Sequence, residues 1–96
     1  MEESLLDVKE AVKNATEFVQ TVLEKEKFDR ITLEEVELSE DSHFWYITLG
    51  LGKIIVGNAF ETIMAGGTGN LSVKYKMFTI DRETGQVIAM KIRKND

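Results

Sequence analysis

Residues 71–93 read LSVKYKMFTIDRETGQVIAMKIR, and the fold turns on this stretch. Two runs rich in β-branched and aromatic residues, 71–80 and 86–93, flank Asp81-Arg82-Glu83-Thr84-Gly85. An aspartate can start a type I turn through its carboxylate, and a glycine can supply the left-handed residue that closes a bulged loop, so the stretch reads as an antiparallel hairpin. Pairing Ile80 with Val87 places Val73, Tyr75 and Met77 on one face with Ile88, Met90 and Ile92, whereas a slip of one residue mixes Lys74 and Lys76 into that set. On its other face the same register sets Lys76 opposite Lys91 and Lys74 opposite Arg93, with Phe78, Ile80, Val87 and Ala89 nearer the turn. Like charges facing across a ladder cost about 0.2–1 kcal/mol per pair, so this basic cluster requires acidic neighbours or an anionic partner.

Upstream of the hairpin, six of the seven glycines fall between Gly50 and Gly69 and bracket an apolar segment containing Ile54, Ile55, Phe60, Ile63 and Met64. Glycines at both ends free a segment to fold back, and 52–70 reads as an insert between strands. Asn58 and Glu61 suit the start of a short helix over 58–65 that Gly66 would end. Further upstream, 43–51 alternates Trp45, Ile47, Leu49 and Leu51 with Phe44, Tyr46 and Thr48, a strand that is apolar on both sides. Residues 31–38 alternate as well but change phase at Glu34-Glu35, the mark of a bulge. Ser39 to Ser42 is a polar turn. From Ser4 to about Lys27, Leu5, Val8, Val12, Ala15, Val19 and Val22 recur at spacings of three and four, the stripe of an amphipathic helix, and Ser4 with Asp7 suits its capping.

The expected fold is therefore α+β, one domain over 1–96. A long helix at 4–27 packs on a four-stranded antiparallel sheet of 31–38, 43–51, 71–80 and 86–93, with the glycine-bracketed insert between strands two and three. The expected core is Val8, Val12, Ala15, Val19, Val22, Ile31, Val36, Leu38, Trp45, Ile47, Leu49, Tyr75, Met77, Ile88, Met90 and Ile92.

Composition narrows the chemistry. The chain has 96 residues, no cysteine, no proline and one histidine, which excludes disulfides, thiolate zinc sites and cysteine nucleophiles. Its net charge of −5 divides into −8 over residues 1–42 and +3 over 43–96. That balance makes nucleic acid an unfavoured partner. No apolar run approaches the ~18 residues of a membrane span, and the acidic start lacks the positive charge of a secretory signal, so a cytoplasmic protein is expected, although a mature secreted fragment would look the same.

The run Phe44-Trp45-Tyr46-Ile47-Thr48-Leu49 and the hairpin Tyr75 to Val87, with Asp81-Arg82-Glu83-Thr84-Gly85-Gln86-Val87 at its turn, resemble the PepSY-like domains. The resemblance spans about half the chain and implies a small cystatin-like α+β module, non-catalytic, that binds or restrains a neighbouring peptidase or cell-envelope protein. In size, acidity and helix-then-sheet order the chain is also similar to small cytosolic immunity proteins that neutralise toxins.

No residue pattern requires catalysis or a cofactor. His43 stands at a strand end, and the sequence gives no evidence of the distant carboxylate that would orient it as a base. Gly66-Gly67-Thr68-Gly69 precedes a strand rather than a helix, and Gly52-Lys53 lacks the glycine and hydroxyl of a phosphate loop. Glu34, Glu35, Glu37, Glu40 and Asp41 lack calcium-loop spacing, so they read as a solvated face, some of them neutralising the hairpin lysines.

The expectation is a protein-binding module without catalysis, engaging another protein or a second copy. The alternatives are a toxin-neutralising immunity or inhibitor protein, and a small-ligand binder with a pocket beneath 52–70. Partner-binding candidates are Phe44, Tyr46, Phe78, Ile80 and Val87 on the sheet's second face, with Lys74, Lys76, Lys91 and Arg93 as a docking cluster for an acidic partner. Ile54, Ile55, Phe60, Ile63 and Met64 are the candidate lid over that face.

Overall fold

A computed structural model describes residues 5–55 and 70–93, and the architecture is α+β. Helix α1 (Val8–Val22) is followed by a short 3-10 turn (Glu24–Glu26) and strands β1 (Arg30–Leu38), β2 (Phe44–Ile55), β3 (Asn70–Asp81) and β4 (Val87–Arg93). The strands form one antiparallel sheet in chain order, so β1 and β4 are its edges.

The helix is shorter than 4–27. Asp7 caps it, its Oδ1 accepting the Glu10 amide at 2.9 Å, and the left-handed Lys27 (φ 47°) turns the chain away towards β1. Its contact line is Ala11, Ala15 and Val19, a strict i, i+4, i+8 row, while Val8 and Val22 at the margins of the expected stripe are exposed. Two alanines in that row let the helix backbone approach the sheet closely, where Phe18 meets Phe78 edge-on at 6.0 Å between ring centres. The chain is also pinned ahead of the helix: the Leu6 amide donates to Arg82 O at 2.8 Å, and Trp45 Nε1 donates to Leu6 O at 2.9 Å.

The bulge at Glu34 is present, with pairing stepping from Leu33↔Leu49 to Glu35↔Thr48. Strands β2 and β3 run further than 43–51 and 71–80, pairing as far as Ile55↔Asn70, so both ends of the expected insert are strand. The expected helix at 58–65, and the insert from 56 to 69, lie outside the described residues.

The phase of β3 corrects the expected core. Ile80 faces Trp45 and Phe78 faces Ile47, so Phe78 and Ile80 lie beneath the helix with no exposed surface, alongside Ile47, Leu49 and Leu51. Tyr75 and Met77 point the other way, opposite Gly50 and Thr48. Ile80 does pair with Val87, but the ladder then shifts to Thr79↔Ala89, leaving Ile88 as an extra residue in β4. That bulge carries Met90 to the helix side with Phe78, and neither expected pair of facing basic residues forms: Lys76 faces Ile92, Met77 faces Lys91 and Tyr75 faces Arg93. Ile88 and Ile92, expected in the core, are 53% and 78% exposed, and Leu38 is also exposed.

The helix runs diagonally. Ahead of it Leu6 is tied to Arg82 in the β3–β4 turn, midway along it Asn14 Nδ2 donates to Gly85 O at 2.9 Å, and at its end Val19 and Leu23 share a small cleft with Phe28 and Ile31 at the start of β1. Lys74 and Lys76 occupy the helix-side face of β3 at the corner this diagonal leaves open.

Candidate functional site

The face of the sheet away from α1 has no covering element among the described residues. Along β2 it presents Phe44, Tyr46, Thr48 and Gly50, flanked by Tyr75, Met77 and Thr79 of β3 and by Ala89, Lys91 and Arg93 of β4. The β1 bulge turns Glu35 and Glu37 onto this same face, opposite Thr48 and Tyr46. Arg93 reaches back across the sheet to pair with Glu35, and its Nη1 lies 3.3 Å from Thr48 Oγ1, which is buried beneath the pair. A Cβ at Gly50 would come within 2.7 Å of Thr32 Oγ1 and 2.9 Å of Glu34 Oε2, so those two side chains would have to shift to admit one.

Of the expected partner-binding residues, Phe44, Tyr46, Lys91 and Arg93 share this open face. Phe78 and Ile80 are in the core on the opposite side, and Val87 packs against that core. Lys74 and Lys76 are also on the opposite side, so the four basic residues form no single cluster. Of the lid residues, Ile54 is an exposed residue of β2 and Ile55 ends that strand, whereas Phe60, Ile63 and Met64 lie outside the described residues.

Two features were not anticipated. The first is the outer edge of β4, which pairs with no strand among the described residues and exposes Ile88 and Ile92. The second is a cleft of about 490 Å³ at the β1–β2 end of the open face, lined by Glu37, Leu38, Ser39, Glu40, Asp41, Phe44 and Tyr46. Its rim is a tightly tied turn: Ser39 Oγ donates to Asp41 Oδ1 at 2.7 Å and accepts the Phe44 amide at 3.1 Å, and Asp41 Oδ1 also accepts the His43 amide at 3.0 Å. The Ser39 hydroxyl, then the His43 amide, hold the exposed Asp41 carboxyl below its ordinary value of 3.8. Glu37 could have been placed beside Tyr46 from the sequence, since a bulge at Glu34-Glu35 reverses which side the later glutamates take.

His43 projects from the turn before β2, with Nδ1 3.6 Å from Asp41 Oδ2 and both side chains largely exposed. The Ser39 hydroxyl is committed to Asp41 rather than to the imidazole. Among the described residues no group of three histidine or acidic side chains is placed to hold a metal ion, and no helix is long and apolar enough to cross a membrane. Compared with protein families, with curated proteins and with solved structures, the chain matches none.

Proposed function

We propose that this chain is a non-catalytic protein-binding module that receives a strand of its partner along β4. The carrying observation is the asymmetry of the two sheet edges. Edge β1 is blunted in the usual way, by a bulge and by Glu34, Glu35 and Glu37. Edge β4 has its own bulge at Ile88, but close to the turn, and beyond it runs in unbroken register from Ala89 to Arg93 with Lys91 its one lysine, Ile92 the most exposed large apolar side chain described, and Arg93 drawn away across the open face to Glu35. A free ladder of amides and carbonyls supplies affinity by strand addition, and adjacent apolar side chains supply specificity.

The partner class implied by the PepSY resemblance is an enzyme that the module binds or restrains. A toxin held by an immunity protein would use the same kind of surface, and a toxin gene beside this one in its genome would favour that reading over a peptidase or envelope gene.

The test is photo-crosslinking in the native host from a benzoylphenylalanine placed at position 92, with one at position 13 on the helix as control. A discrete adduct from position 92, lost when Ile88→Lys is added, supports the reading. Identical adducts from both positions, or an adduct indifferent to Ile88→Lys, would remove it.

A further inference from the structure

We infer that the cleft at the β1–β2 end is a second binding site, which takes an arginine side chain from a basic polypeptide segment. This inference is independent of strand addition, because the cleft lies beside β1, at the opposite edge of the sheet from β4.

The floor is aromatic: Phe44 and Tyr46 are both half-buried on one face of β2, two residues apart, whereas Leu38, which lines the cleft's edge, faces Trp45 on the helix side. The rim is anionic, with Glu37 directly across the ladder from Tyr46, and Glu40 and Asp41 on the turn. Cross-strand neighbours have Cβ atoms about 4.5–5.5 Å apart, so a single group can touch the Tyr46 ring and the Glu37 carboxylate together. Among the described residues Glu37 and Glu40 pair with no cation, whereas Glu35, one step along the same strand face, is taken by Arg93. Among the described residues the cleft therefore offers a carboxylate without a cation next to a half-buried ring.

The chemistry of the occupant follows from that pairing. A guanidinium is the side-chain cation that is flat enough to stack on an aromatic ring while its edge donates two hydrogen bonds to a carboxylate. The fold already stacks one: Arg82 lies 5.5 Å over the centre of the Trp45 ring, at this same end of the sheet on the helix side. A metal ion is the competing occupant of any acidic rim, but it needs several oxygens converging on one point, and these carboxylates are spread along an open turn rather than gathered. A free arginine or a basic peptide would satisfy the site alike; the extended rim running from Glu37 to Asp41 favours a segment with further positive charge on either side of the inserted residue.

The experiment titrates the full chain, labelled with ¹⁵N, with the blocked peptide Gly-Arg-Gly-Arg-Gly and with the same peptide carrying citrulline for arginine. The arginine peptide should produce saturable amide shifts confined to Glu37, Ser39, Phe44 and Tyr46 and their neighbours, weakening as salt is raised. Citrulline keeps the shape and removes the charge, so it should not bind. Tyr46→Leu keeps an apolar floor and removes the π face, and should weaken binding by about two- to fivefold, the worth of an exposed cation–π contact. Glu37→Gln should weaken it at least as much, and the spectrum of each variant shows whether it is folded. Equal binding of the citrulline peptide, shifts spread over the helix glutamates, or insensitivity to Tyr46→Leu would each overturn the site, the last reducing it to diffuse attraction by an acidic surface. Calcium chloride in place of peptide should leave these amides unmoved; saturable calcium shifts there would equally overturn it.

Discussion

Replacing Phe78 with alanine separates the observed sheet phase from the one the hairpin sequence suggests. Phe78 has no exposed surface, faces Ile47 and Met90 across two ladders, and meets Phe18 edge-on. Truncating a fully buried phenylalanine to alanine costs about 3–5 kcal/mol, including about 0.5–1.5 kcal/mol of aromatic pairing. Small domains are stable by roughly 0.05–0.15 kcal/mol per residue, so the variant would lose about a fifth or more of the stability of this chain. Because Phe78→Ala risks unfolding altogether, Phe78→Leu provides a milder step, expected to cost about 1–3 kcal/mol. Met77→Ala is the control: its side chain is on the open face, only half-covered, and its loss should cost about 1 kcal/mol or less. Urea unfolding followed by the fluorescence of the single tryptophan, Trp45, gives all three values on one scale. If Met77→Ala proves as costly as Phe78→Leu or more so, β3 is turned the other way and the open face described above does not exist.

Three further expectations follow from local contacts. Asp7→Ala removes the acceptor for the Glu10 amide and should lower stability by about 0.5–2 kcal/mol in the same urea assay, with Asp7→Asn largely neutral. Gly85→Ala forces a Cβ into a φ of 78° and to within 3.0 Å of Asn14 Nδ2, and should cost about 1–2 kcal/mol; a stabilised variant would contradict the turn geometry. Asp41 has its folded pKa depressed by Ser39 and His43, so its contribution is complete above its ordinary 3.8 and is lost as pH falls through the lower folded value. Asp41→Asn should therefore lower stability at neutral pH and flatten the acid limb of the stability curve, the two proteins converging as pH falls through the folded value.

The helix, the four strands, the Glu34 bulge and the Asp81–Gly85 turn were legible because each rests on local signals: periodicity, a phase break, and turn residues at fixed positions. Even the anchoring pair, Ile80 with Val87, follows from the hairpin alone. What failed was the step from one hairpin to the whole sheet. Both faces of β3 and of β4 carry apolar residues, so alternation does not say which side the helix covers, and keeping Lys74 and Lys76 out of the core was the wrong criterion. The diagonal helix leaves their corner open, so two lysines can share a face with Phe78 and Ile80 without being buried. Nothing in Val87 to Arg93 announces the Ile88 bulge, since no glycine marks it. Of the candidate site, Phe44 and Tyr46 were legible from the doubly apolar strand, whereas the exposed β4 edge depends on strand order, which local pattern does not encode.

Strand addition at β4 is tested most directly by amide hydrogen exchange on the crosslink-identified complex, compared with the chain alone. In the free protein the outward-facing amides of Ala89 to Arg93 should exchange quickly while the inward ones, bonded to β3, exchange slowly. On binding, the outward set should slow to match the inward set, with β1 unchanged. Protection appearing on β1 or on the outer face of α1, with the β4 pattern unaltered, would contradict the account.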